Sequence, residues 1–160
     1  MDKYVNSDIN LHLMKLIQIG ANVQVVSGKM VYVKFCLEDG TEIAYVYHMN
    51  KKNKYFLERI KPYPLSLKEF NTANEVIDII QVDYKQYQNA IKSKNVKEFI
   101  EMNKEMHKTI KSFEDLFLYY NIDHELLEEI NTCVTHVQKL IKEGCTKYER
   151  LFFEKDPENL

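Results

Sequence analysis

The sequence predicts an α+β fold: an N-terminal helix, a four-stranded antiparallel β-meander, then an antiparallel three-helix bundle. Three observations lead there. Apolar residues recur at every second position between Ala21 and Lys61, and at every third or fourth position beyond Pro64. Pro62 and Pro64 stand where the period changes. The links Ser93-Lys94-Asn95 and Asn121-Ile122-Asp123 are short, so the long helical stretches on either side become antiparallel neighbours.

The first helix takes Ser7 or Asp8 as its cap, Ile9, Leu13, Leu16 and Ile17 as its apolar stripe, and Gly20 as its stop. Leu11 and Met14 fall off that stripe. Four strands follow. Val23 and Val25 open the sheet, and Ser27-Gly28-Lys29 turns the chain. Met30 to Leu37 puts Val31, Val33, Phe35 and Leu37 on one face. Glu38-Asp39-Gly40-Thr41 carries the Asp-Gly pair of tight hairpins. Ile43, Tyr45 and Tyr47 alternate with Ala44, Val46 and His48, and Tyr55 to Ile60 closes the meander. Both faces bear large side chains, so a helix is expected on one and another cover on the second.

Past the prolines, Ser66-Leu67-Lys68-Glu69 and Thr72-Ala73-Asn74-Glu75 both match the capping box. The first reads as a short turn and the second as the start of a helix with stripe Ile77, Ile80, Tyr84, Tyr87 and Ile91. Asn95 with Glu98 caps the next helix. Its stripe, Val96, Phe99, Asn103, Met106, Ile110, Phe113, Phe117 and Tyr120, keeps a 3.5-residue average and is apolar or aromatic except at Asn103. The last helix repeats the steps with Leu127, Ile130, Val134, Val137, Ile141, Gly144, Tyr148 and Leu151. Pro157 lies in a tail expected to fray. Residues 1–64 are read as a helix-plus-sheet lobe and residues 65–160 as the bundle, packed as one unit.

Composition bounds the function. The chain has 160 residues, 45% hydrophobic and 29% charged, with a net charge of −2. Residues 1–64 carry nine basic and six acidic side chains, and residues 65–160 thirteen and eighteen, an asymmetry that lets the halves attract each other. Cys36, Cys133 and Cys145 are an odd number without Cys-x-x-Cys spacing, which argues against a disulfide framework. The first residues hold no signal-peptide run and no stretch is long and apolar enough to span a membrane, so a cytoplasmic protein is expected. The richness in Lys, Ile, Asn and Tyr suggests a bacterial, AT-rich origin.

Chemical signatures are sparse. There is no Gly-x-Ser-x-Gly, Gly-rich phosphate loop or His-Glu-x-x-His. Cys133 and His136, with Glu129 one turn earlier and His107 on the preceding helix, are the nearest approach to a metal set; no His follows a Glu by three, and neither metal nor cofactor is expected. Asp83 beside an apolar stripe could act as an acid or base if buried in a pocket, but reads as a flank position reaching water. Asn103 fits a register-fixing seam residue, and His107, one turn on, could share its hydrogen bonds.

The sharpest surface candidate is the hairpin around residue 52. Tyr45, Tyr47, Lys51, Lys52, Lys54, Arg59 and Lys61 interleave cations with rings, as a single-stranded nucleic-acid or partner surface does. The plainer alternative is a solvated lysine turn guarding a sheet edge. The function expected is that of a small non-enzymatic macromolecule-binding protein: a regulator, an adaptor or a neutralising partner of another protein. Single-stranded nucleic-acid binding through the hairpin is the alternative, and an enzyme of unknown reaction the third reading. A homodimer is expected from apolar residues off the main stripes, such as Leu116, Leu126 and Leu140.

Overall fold

The computed structural model describes residues 11, 13–23, 28–50 and 54–160. It is α+β: a short N-terminal helix, a four-stranded antiparallel sheet, then three long helices. The first helix, α1, covers residues 13–18. It stops as its glycine requires. Gly20 has a φ of 91°, its N–H donates to the Ile17 carbonyl, and the Ala21 N–H donates to the Leu16 carbonyl. These two bonds satisfy carbonyls that the helix end leaves bare. The expected caps Ser7 and Asp8, and Ile9, lie outside the described residues.

The strands are β1 (Met30–Cys36), β2 (Glu42–Met49), β3 (Tyr55–Lys61) and β4 (Leu65–Phe70), lying side by side in chain order, with each neighbouring pair antiparallel. The Asp-Gly turn forms as expected: Gly40 takes a φ of 85°, the Asp39 carboxylate accepts from the Thr41 N–H at 2.9 Å, and the Leu37 N–H donates to the Thr41 carbonyl. The strand set differs from the sequence reading at both ends. Val23 is not in a strand, and Val25 lies outside the described residues. The prolines do not end the sheet; they form the turn from β3 to β4. Ser66 and Glu69, read as a capping box, instead pair with Glu58 and Phe56 of β3. A local cap satisfies one or two amides, whereas pairing with β3 satisfies a row of them and buries Phe70.

Helix α2 (Ala73–Ala90) covers one face of the sheet. Its start is the second capping box, with the Glu75 N–H donating to Thr72 Oγ1 and the Asn71 N–H donating to the Glu75 carboxylate. Leu37, Ile43, Tyr45 and Leu57 from the sheet side, with Phe70, meet Val76, Ile80 and Tyr87 of α2 in the main core. The buried line of α2 therefore runs through Val76; Ile77, placed on the stripe by heptad counting, is 46% exposed. A helix on a sheet presents one face of a 3.6-residue turn, which drifts from a strict seven-residue repeat.

Helices α3 (Val96–Tyr119) and α4 (His124–Lys147) follow. Asn95 precedes α3 but its side chain makes no cap bond; Asp123 does cap α4, accepting from the Leu126 N–H at 2.9 Å. Val96 and Ile100 are buried with Tyr63 in a second small core. Past these first turns the seam residues of both helices are largely exposed. Tyr148 and Leu151, read as part of the last helix, lie past its end at Lys147, and the tail around Pro157, expected to fray, makes the ion pairs Lys85–Glu154 at 2.6 Å and Lys68–Glu158 at 2.9 Å.

Two substitutions test this packing. Ile43→Ala, at a fully buried position, is expected to cost about 2–5 kcal/mol in urea unfolding. Gly40→Ala, at a positive φ in open space, is expected to cost about 1–2 kcal/mol through backbone strain alone. Equal costs would contradict the placement of the core.

Candidate functional site

Strand periodicity and sheet register set up the most polar spot in the interior. Leu57 is buried on β3, so Arg59, two residues on, shares its face; the register places Tyr45 of β2 opposite Arg59. Asp83 falls on the buried line of α2 between Ile80 and Tyr87. These side chains converge. Arg59 Nη1 donates to Asp83 Oδ1 at 2.9 Å and Oδ2 at 3.0 Å, and Tyr45 Oη donates to Asp83 Oδ2 at 2.6 Å. The guanidinium lies 4.6 Å from the Tyr63 ring centroid and 5.1 Å from that of Tyr87. Arg59 is 4% exposed and Tyr45 fully buried.

The electrostatics follow from this burial. Desolvation is the largest influence on Arg59 and works against its charge, but Asp83, Tyr87 and Tyr63 together outweigh it and hold the guanidinium protonated. Burial, then the Asp83 charge, pushes the Tyr45 hydroxyl upward. Burial pushes Tyr87 upward as well, against the opposing pull of Arg59. Arg59 Nε and Tyr87 Oη are buried without a hydrogen-bond partner. The rings beneath the guanidinium supply a partial substitute through their electron-rich faces. A shallow cleft of about 240 Å³ opens beside the group, lined by Arg59, Tyr63, Asp83, Gln86, Tyr87 and Phe99. Asp83, expected to reach out to water, is instead mostly covered, its side chain 15% exposed at the cleft and its carboxylate engaged by Arg59 and Tyr45. The arrangement is a structural clamp between sheet and helix.

The hairpin candidates are dispersed by the same fold. Tyr45 and Arg59 belong to the interior, and Tyr47 packs half-buried against the core. Lys54 pairs with Glu69 at 3.5 Å, and Lys61 pairs with Glu42, which also holds Lys34. Those two lysines hold Glu42 well below the usual carboxylate range, at about 2. Lys51 and Lys52 lie outside the described residues. On the sheet face away from α2, His48 stacks on Phe56 at 5.2 Å, and Met30 and Tyr32 are exposed.

Among the described residues, no three His, Cys, Asp or Glu side chains gather as a metal set would require. Cys133 is exposed on α4. His107 and Asn103 do meet, but through the backbone: His107 Nδ1 donates to the Asn103 carbonyl at 2.8 Å, while Asn103 Nδ2 donates to the Phe99 carbonyl at 2.8 Å.

The largest unsatisfied feature is apolar. Along α3, Ile110 is 64% and Phe117 57% exposed, with Phe99, Met106 and Phe113 also open. Along α4, Val134, Val137, Leu140 and Ile141 are open, and no residue of that helix is buried. Half-buried Leu116, Ile122, Leu126, Leu127 and Ile130 gather only around the α3–α4 connection. Near the far end of α4 a cleft of about 670 Å³ forms against the tail, lined by residues that include Ile141, Gly144, Tyr148 and Leu160. No family model, curated protein or solved structure significantly matches the chain.

The clamp makes two checkable statements. Asp83→Ala leaves Arg59 buried without its counter-charge and is expected to cost about 3–5 kcal/mol in urea unfolding, with part recovered in the double variant Arg59→Met/Asp83→Leu. Tyr45 and Tyr87 hold their protons more tightly when folded than at their ordinary value of 10.0. Their contribution is complete below that pH, and stability falls as pH rises past it because the unfolded chain releases protons first. Tyr45→Phe should shallow this alkaline decline, and a decline unchanged by it would contradict the assignment.

Proposed function

We propose that this chain is a small non-enzymatic protein-binding protein, acting as a regulator, adaptor or neutralising partner, and that α3 and α4 carry its binding face. One observation carries the reading. Two helices of 24 residues each present an apolar stripe that their own chain leaves open. Exposed apolar patches on this scale are characteristic of protein–protein contact surfaces. The polar faces of the same helices carry the charges, some of them in local pairs such as Lys104–Glu101 and Lys139–Glu143.

The buried polar cluster reads as a stabilising one, since Asp83 is bonded to both the Arg59 guanidinium and the Tyr45 hydroxyl and joins α2 to the sheet. Nucleic-acid binding through the hairpin has less support, because two of its proposed contacts are core residues and Lys54 and Lys61 are paired with carboxylates. Three exposed free thiols suit a reducing cytoplasm. Among the described residues no helix is long and apolar enough to cross a membrane, which fits a partner in solution.

A photo-crosslinking residue placed at Ile110 or Val137 should join the chain to protein in its native cell. The same residue at Lys108 or Lys139, on the charged faces, should not. Failure of the stripe positions to join any protein, the chain itself included, would sink the reading; so would retention of wild-type protein on single-stranded nucleic acid at low salt together with crosslinks to nucleic acid alone.

A further inference from the structure

We infer that the partner on the α3–α4 face is a second copy of this chain, paired about a two-fold axis so that four helical stripes close one core. The inference rests on the protein-binding reading and names the partner of that face.

Surface area carries it first. The chain exposes 13376 Å². A compact monomer of 19.1 kDa exposes about 8,400 Å², which leaves an excess of roughly 5,000 Å². Obligate homodimers bury about 1,000–2,500 Å² on each partner, so the excess more than supplies such an interface. The outer sheet face and exposed Leu16, Ile17 and Ile19 hold part of the remainder.

The pattern of the face specifies a like partner. Both stripes advance by the same alternating steps of three and four, the spacing that lets helices interlock side chains. Within the two helices its residues are Phe, Met, Ile, Val and Leu with Gly144, and Asn103 is the polar member of the α3 seam. In paired helices a single seam Asn sets the register. The charges are self-compatible. Helix α3 carries four lysines and five carboxylates, and α4 three and four, so neither helix has a strong sign to repel its own copy or to select an oppositely charged protein. The face is also anchored. Val96 and Ile100 hold the first turns of α3 in the folded core, and the rest of the stripe projects from that base. One face that complements itself needs only a two-fold axis to close, which also prevents open-ended assembly.

Sedimentation velocity of the purified full chain at micromolar concentration decides the matter. The expected result is one species at twice the 19.1 kDa chain mass. A single species at the chain mass overturns the inference, as does a ladder of larger assemblies. The double variant Ile110→Lys/Val137→Lys should halve the sedimenting mass while the near-ultraviolet signal of the tyrosine core persists; a variant that stays dimeric places the interface elsewhere and overturns the inference. If that variant fails to fold, a photo-crosslinker at Ile110 in purified protein replaces it: chain-to-chain adducts are expected, and their absence overturns the inference. A monomer that still forms stripe-specific adducts with a different protein refutes the self-pairing alone. A monomer with no adduct to any protein refutes the protein-binding reading as well.

Discussion

The Arg59–Asp83 pair is the constraint on which the seating of α2 against the sheet depends. It joins the middle of the sheet to the middle of α2, and Tyr45 and the rings of Tyr63 and Tyr87 complete its surroundings. Burying one arginine against one carboxylate is costly in desolvation, and the cost is offset only when geometry and extra hydrogen bonds are good. Here one guanidinium nitrogen reaches both carboxylate oxygens, and a tyrosine hydroxyl supplies a third bond. A misplaced α2 would leave both charges unpaired in an apolar core. The pair therefore fixes where the helix sits on the sheet, which general apolar contact does less sharply.

From that fixed point the structure divides by how completely it buries its apolar surface. The sheet, α2 and the first turns of α3 enclose two joined cores around Tyr45 and Tyr63. Past Ile100 the same kinds of side chain stay open. The difference is one of available partners rather than of composition: a sheet and a helix each have a broad face to offer, whereas α3 and α4 offer narrow stripes that need other stripes to close. The terminal residues follow the closed part, because Glu154 and Glu158 find lysines on α2 and β4.

Much of the local structure is legible in the residues. Gly20 and Gly40 mark their stops because both adopt positive φ, where a side chain is strained. Thr72 with Glu75 opens α2 because the hydroxyl and carboxylate meet bare amides. The alternation from Met30 to Ile60 yields three strands in place. Less was legible where two signals of similar strength compete. Residues 65–70 fit a capping box and a strand equally well in isolation, and the free edge of β3 decides for the strand. The burial of Arg59 was readable from its spacing to Leu57, but its basic neighbours drew it toward a surface reading.

The sequence by itself determined the α+β class, three of the four strands and the apolar stripes of the long helices, because each rests on periodicities and turn residues acting over a few positions. Only the tertiary structure decided that Asp83 meets Arg59 and Tyr45, that Lys54 and Lys61 are paired with carboxylates, and that the stripes of α3 and α4 remain open. These outcomes depend on which faces approach one another across long sequence separations. Charge pairing is a property of those approaches, and spacing along the chain does not encode which partners meet.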